Sequence, residues 1–162
     1  RCEDHNGGIL EAVRKHCIPK TIIVMGGAND VETVKPNKMI NLFTELLGLV
    51  KNKFPESRIV VVGMFPRFSD MRSIDSIMKS FRAYNEGIKK IAPEYYYFGE
   101  SIMQKDGYPD RQYFATDDPV HLNKKGYDIF CKGLRQIITG VIEITEITVG
   151  YIPNDNDFPA LG

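Results

Sequence analysis

Two short runs of consecutive apolar, largely β-branched residues, Thr21-Ile22-Ile23-Val24-Met25 and Ile59-Val60-Val61-Val62-Gly63-Met64, limit what this chain can become. Neither alternates apolar with polar, so neither suits a sheet with one wet face. Unbroken runs of this length belong to parallel strands covered on both sides. Between them, Met39, Ile40, Leu42, Phe43, Leu46, Leu47 and Val50 recur at helical spacing, a stripe that predicts a helix packed on the sheet and ended by Pro55. After the second run the pattern repeats. Ile77, Met78, Phe81, Tyr84, Ile88 and Ile91 predict a helix over about 74–91, and beyond Pro93 the run Tyr95-Tyr96-Tyr97-Phe98 reads as the last parallel strand. Asn85 lies within that helix's apolar face and reads as a helix-to-loop clamp.

Strand–helix–strand order of this kind gives an α/β fold, and ligands of such sheets gather at the carboxyl ends of the strands. The first run ends there in Gly26-Gly27-Ala28-Asn29-Asp30. Asn29 would offer a side-chain amide where an oxyanion develops, a contribution of about 3 kcal/mol to a transition state. Asp30 reads as a group that bonds loop backbone, because a second negative charge would oppose that chemistry.

A second segment far downstream, Asp117-Asp118-Pro119-Val120-His121-Leu122-Asn123, sets a carboxylate one helical turn ahead of an imidazole, just before a helix. A histidine acting as general base needs its other ring nitrogen held by an acceptor, and Asp118 is close enough in sequence to be that acceptor. A hydrogen-bonded helix cap is the competing reading of the same residues. Asn123 is a candidate cap for the helix whose apolar side holds Tyr127, Ile129, Phe130, Leu134, Ile137 and Ile138.

Gly27-Ala28-Asn29-Asp30 resembles the G-x-N-D block, and Asp118-Pro119-Val120-His121 the D-x-x-H block, of the SGNH (GDSL-like) hydrolases. Order, separation and the intervening strand suit that family from about Asn6 to about Ile138. The resemblance implies a three-layer α/β/α domain with a mostly parallel sheet, the flavodoxin-like SGNH fold, and a serine esterase or acyl hydrolase that needs no metal or organic cofactor. It places the general base on His121, its orienting acid on Asp118 and an oxyanion-hole donor on Asn29. A backbone N–H for the same hole falls on Gly7 or Gly8, with Gly7 preferred. The substrate class implied is a small-molecule ester, an acyl group on a lipid, a sugar or another small alcohol.

The family's first block, a G-D-S motif whose serine is the nucleophile, has no counterpart in these residues. The chain starts at Arg1 without a methionine, and the expectation is a fragment whose first strand and helix are absent. A sheet deprived of a middle strand would leave buried groups unpaired, at about 1–3 kcal/mol each, so a natural domain would seldom dispense with it. The alternative is a catalytically inactive SGNH-like module that binds protein, RNA or glycan.

Other candidates cluster after the second strand. Arg67, in Phe65-Pro66-Arg67-Phe68-Ser69-Asp70, could meet a substrate carboxylate or sugar hydroxyl, or tie down its own loop as a solvated side chain. Ser69 and Asp70 read as caps of the next helix rather than as a substitute nucleophile. In the turn-rich stretch from Gly99 to Thr116, Tyr108, Tyr113 and Phe114 could line an entrance or pack beneath the loop. Ile9–His16 reads as a short helix, and 141–149 as a bulged strand or two short ones. One domain is expected over 1–150, with 151–162 a flexible tail or linker.

Lys+Arg 21 against Asp+Glu 21 leaves no net charge, so there is no strong nucleic-acid signal. No apolar run is long enough for a membrane span. Cys2, Cys17 and Cys131 are too scattered for a metal or disulfide framework, which favours an intracellular protein with Cys17 and Cys131 packed as small apolar residues. Nothing in the sequence sets the oligomeric state.

Overall fold

The computed structural model describes residues 18–69 and 71–140. The expected helix at Ile9–His16, the glycines Gly7 and Gly8, Cys2, Cys17, the strand at 141–149 and the 151–162 tail lie outside those residues.

Strand β1 (Thr21–Val24) pairs in parallel with β2 (Arg58–Val62), Thr21 opposite Arg58 and Val24 opposite Val61. β2 pairs in parallel with β3 (Tyr95–Tyr96), giving the order β1-β2-β3 with β2 in the middle. Successive side chains of β2 point to opposite faces, and both faces are covered. Ile59 and Val61 join Ile22 and Val24 on one side, against helices α1 (Pro36–Lys53) and α2 (Ile74–Ile91). Val60 and Val62 join Ile23, Tyr96 and Phe98 on the other, against Phe130, Leu134 and Ile137 of α3 (Lys124–Thr139). This double burial is why the strand sequences are apolar without alternation. The result is three layers, two helices, sheet, one helix, as the sequence implied.

Each helix shows its local cause. Pro36 occupies the first turn of α1, where its missing N–H costs nothing. Ser73 caps α2 by accepting from the Ser76 N–H, with Asp75 in the first turn and Lys89 and Lys90 in the last, complementing the helix dipole. α3 ends at Gly140, whose φ of 69° is the left-handed geometry glycine tolerates, and the Gly140 N–H closes on the Gln136 carbonyl. The Arg58 guanidinium at the start of β2 donates to the Ile137 carbonyl near the end of α3. α3 therefore runs antiparallel to the strands, and its N-terminus lies toward their carboxyl edge.

Several expectations are corrected. The packed stripe of α1 is narrower than predicted: Met39, Phe43, Leu47 and Val50 are buried, whereas Leu42 and Leu46 are exposed. On α3, Tyr127 and Ile138 are exposed, Ile137 is buried as expected, and Gly126 and Gly133 are buried beside it. Gly133 sits flat against the Phe98 ring, a closeness that only a missing side chain permits. Cys131, expected to pack, is exposed. The strand at Tyr95–Phe98 pairs only over Tyr95 and Tyr96. The segment before α3 is not a helical turn but a strand, β5 (Asp118–Leu122), paired antiparallel with β4 (Phe114–Ala115). The stretch from Gly99 onward contains short 3-10 turns at Gly99–Ile102 and Arg111–Tyr113, anchored by buried Ile102 and Phe114.

Candidate active site

The loop leaving β1 is shaped by Gly27, whose φ of +98° excludes other residues without strain. A Cβ there would stand 2.9 Å from the Tyr84 ring and 3.0 Å from Met39 Cε. The Gly27 carbonyl accepts from the N–H groups of Asp30 and Val31 at 3.1 and 3.0 Å, and the Tyr84 hydroxyl donates to the Gly26 carbonyl at 3.1 Å. Burial, with the Asp30 charge as a lesser cause, pushes the Tyr84 phenol up to about 12, so it stays a donor. Asn29 rides exposed on this turn, and its amide makes no hydrogen bond among the described residues. Asp30 contributes through its backbone; its carboxylate makes no hydrogen bond there, contrary to expectation.

The loop after β2 reaches across to the same turn. Arg67 is buried, not solvated, at 7% exposure. Its guanidinium donates to the Ala28 carbonyl at 2.6 Å, to the Glu32 carboxylate at 2.6 Å and to the Phe68 carbonyl at 3.2 Å. Arg72 adds bonds to the Val31 carbonyl at 2.9 Å and to Ser76 and Ser80. Ser69 Oγ accepts from the Met71 and Arg72 N–H groups, a local turn rather than a cap of α2. Asn85 bonds both Met64 backbone groups at 2.9 and 3.0 Å, which is the expected clamp.

His121 Nδ1 lies 2.5 Å from Asp118 Oδ2. The other carboxylate oxygen accepts the Val120 N–H at 2.8 Å and the His121 N–H at 3.1 Å, so Asp118 folds its own strand into a tight turn around itself. The His121 hydrogen bond first, then those two backbone donors, hold the Asp118 carboxyl down at about 2. It is ionised at any physiological pH and is an acceptor only. With Nδ1–H donating to it, Nε2 is left as the basic nitrogen, on a side chain 67% exposed. Asn123 fixes the far end of the strand: its Oδ1 caps α3 at the Gly126 N–H, while Nδ2 donates to the Gln112 and Phe114 carbonyls at 2.7 and 3.0 Å. The cap was legible in sequence; the second pair of bonds was not.

Aromatic contacts join the loops. Phe68 meets Phe114 of β4 edge-on at 5.1 Å, Phe65 meets Phe130 of α3 at 5.5 Å, and the Arg111 guanidinium lies over Phe68 at 5.4 Å. A continuous path thus runs from Ala28, beside Asn29, through Arg67 and Phe68 to the β4–β5 arm that bears His121. Tyr108 donates to Asp75 on α2 and Phe114 is buried, so these two pack the loop down. Sequence reasoning missed Glu32 and Arg72, because the bonds that tie the loops together, Arg67 to Glu32 and Arg72 to the Val31 carbonyl, join residues 35 and 41 apart. Among the described residues no cluster of His, Cys, Asp and Glu could hold a metal ion, and no helix is long and apolar enough to cross a membrane.

The described residues thus form a three-layer α/β domain with a parallel sheet and an aspartate–histidine pair just before helix α3. Residues 5–129 match the sequence pattern of the GDSL-like Lipase/Acylhydrolase family, and the chain belongs to that family. No curated protein matches it by sequence. Its fold is similar to a GDSL-like lipase from Bacteroides thetaiotaomicron (TM-score 0.63, 20% identity, covering 75% of this chain and 63% of that one). It is also similar to a protein of Streptococcus pneumonia assigned as a platelet activating factor (TM-score 0.58, 21% identity, 74% and 59%). A third likeness is to a peptidoglycan O-acetylesterase (TM-score 0.55, 12% identity, 75% and 39%). The chain thus spans about three fifths of the length of the first two.

Proposed function

We propose that this domain hydrolyses a small-molecule ester by Ser-His-Asp chemistry. The Asp118–His121 pair, a carboxylate held ionised against Nδ1 of an exposed imidazole, is the observation that supports the reading most directly. His121 Nε2 takes the proton of a serine hydroxyl as that oxygen attacks the ester carbonyl. Asp118 keeps the imidazole in the tautomer that can do so and stabilises the imidazolium that forms. The tetrahedral oxyanion is received by the Asn29 amide and by a backbone N–H of Gly7. His121 then returns the proton to the departing alkoxide, and the acyl-serine is cleared by water through the same steps.

The nucleophile belongs to a G-D-S block that these residues do not contain. In this proposal it is contributed by chain preceding Arg1. Arg67 was a candidate for substrate contact; with all three guanidinium nitrogens engaged by protein carbonyls and Glu32, it is better suited to holding the loops. The test is hydrolysis of p-nitrophenyl acetate by the intact protein beside His121→Ala. The variant should lose at least about a hundredfold in kcat, since general-base catalysis alone contributes about 10²–10⁴-fold. Equal rates would remove His121 from the mechanism.

A further inference from the structure

We infer that Arg67, Glu32 and Arg72 form a bracket whose task is to set the Asn29 amide, so that Arg67 is a positioning residue acting through the Ala28 peptide. The inference rests on the oxyanion role proposed for Asn29. The Ala28 carbonyl and the Asn29 N–H belong to one planar peptide unit, so the 2.6 Å bond from Arg67 Nη1 to that carbonyl fixes the plane from which the Asn29 Cα and side chain project. Two residues beyond Asn29, Arg72 Nη1 holds the Val31 carbonyl at 2.9 Å. Between these points the turn is closed by the Asp30 and Val31 N–H groups on Gly27. Asn29 is therefore held on both sides, while the residue itself is exposed and its amide makes no hydrogen bond among the described residues.

The chemistry of the bracket suits positioning better than stability. The Arg67–Glu32 pair is nearly buried, with side chains 8% and 11% exposed, and burying two charges costs desolvation that their attraction roughly offsets. A planar guanidinium with donors at fixed angles reaches Phe68, Ala28 and Glu32 at once. A lysine keeps the charge but cannot span the three. Glu32 holds the outer nitrogen, so that Nη1 meets Ala28 at one angle only.

The test compares Arg67→Lys and Glu32→Gln in the intact protein, alone and combined with Asn29→Ala, using p-nitrophenyl acetate and ¹H–¹⁵N spectra of the Asn29 backbone and side-chain amides. Arg67→Lys should lower kcat about 10–100-fold with KM unchanged, because misplacing a stabilising group by about 1 Å costs on the order of a hundredfold. In the Asn29→Ala background the same substitution should lower kcat no further. Both bracket variants should shift or broaden the Asn29 resonances. A rise in KM with kcat intact would make Arg67 a substrate contact and overturn the inference, as would full additivity with Asn29→Ala. Glu32→Gln keeps shape and serves if Arg67→Lys does not fold. If His121→Ala matches the wild type, the esterase reading fails, and the Asn29 resonances still decide the bracket: unmoved signals refute it.

Discussion

Gly133→Ala should loosen α3 from the sheet, and the size of the effect can be worked from one contact. A Cβ at Gly133 would stand 2.5, 2.6 and 2.7 Å from Cδ2, Cγ and Cε2 of Phe98. Carbon atoms settle at about 3.5–4.0 Å, so the helix or the ring must retreat by about 1 Å. The ring is poorly placed to give way, being stacked on Tyr96 and packed in the cluster of Val60, Val62 and Ile137. Overpacking of this kind costs about 1–3 kcal/mol. Against it stands the helical preference of alanine over glycine, about 1 kcal/mol. Gly48 in α1 isolates that second contribution, because a Cβ there meets nothing within 4 Å. Gly48→Ala should therefore stabilise by up to about 1 kcal/mol. The gap between the two variants should equal the overpacking cost alone, about 1–3 kcal/mol, or roughly 2–12 °C in midpoint at about 2–4 °C per kcal/mol. Urea unfolding followed by circular dichroism, with m-values unchanged, measures it. If both alanines stabilise equally, α3 does not lie on Phe98 and the placement of His121 at its head loses its support.

Asp118→Asn should cut kcat about 10³–10⁴-fold with little change in KM, since the amide can hold the ring in the wrong tautomer; a loss under tenfold in steady-state assays would deny Asp118 its role. The Asp118 carboxyl, followed by ¹³C NMR, should titrate near 2 against the usual 3.8, and in His121→Ala its midpoint should climb but stay below 3.8, because the Val120 and His121 N–H bonds remain. A carboxyl depressed in this way contributes to folding fully above pH 3.8 and loses that contribution as pH falls through about 2, so acid unfolding of His121→Ala should begin at higher pH than that of the wild type. Asn85→Leu should destabilise strongly, because the Met64 N–H and carbonyl lose their buried partner at about 1–3 kcal/mol each; an unchanged urea midpoint would mean that water replaces the amide.

Local sequence was enough for most of the elements whose cause lies among neighbours along the chain, though not for the cap of α2 or the role of the Asp30 side chain. Unbroken apolar runs marked β1 and β2 because a strand covered on both faces has no polar side to show. The α2 stripe marked its helix over 74–91, since Pro93 stops it and every expected buried position is within a turn of the next, although its cap is Ser73 and not Ser69 or Asp70. The two tetrapeptides singled out Asn29, Asp118 and His121 as candidates because an asparagine after a glycine turn, and a carboxylate three residues before an imidazole, are local arrangements, and the Asp118–His121 contact is formed.

What only the tertiary structure decided are contacts between distant segments. That Asp118 and His121 meet within a strand folded back on β4, rather than across a helical turn, follows from pairing with Phe114 and Ala115, which no periodicity announces. Arg67 reads in sequence as a substrate contact or a solvated tie of its own loop, and it and Arg72 become struts only because β1 and β2 are adjacent and parallel, which brings the loops at their carboxyl ends together. The exposure of Leu42, Leu46, Tyr127 and Ile138 was equally hidden, because periodicity tells which residues share a helix face but not how wide a strip of that face the sheet will cover. Side-chain type sets what each residue can do, and the packing of the layers sets which of those possibilities meets a partner.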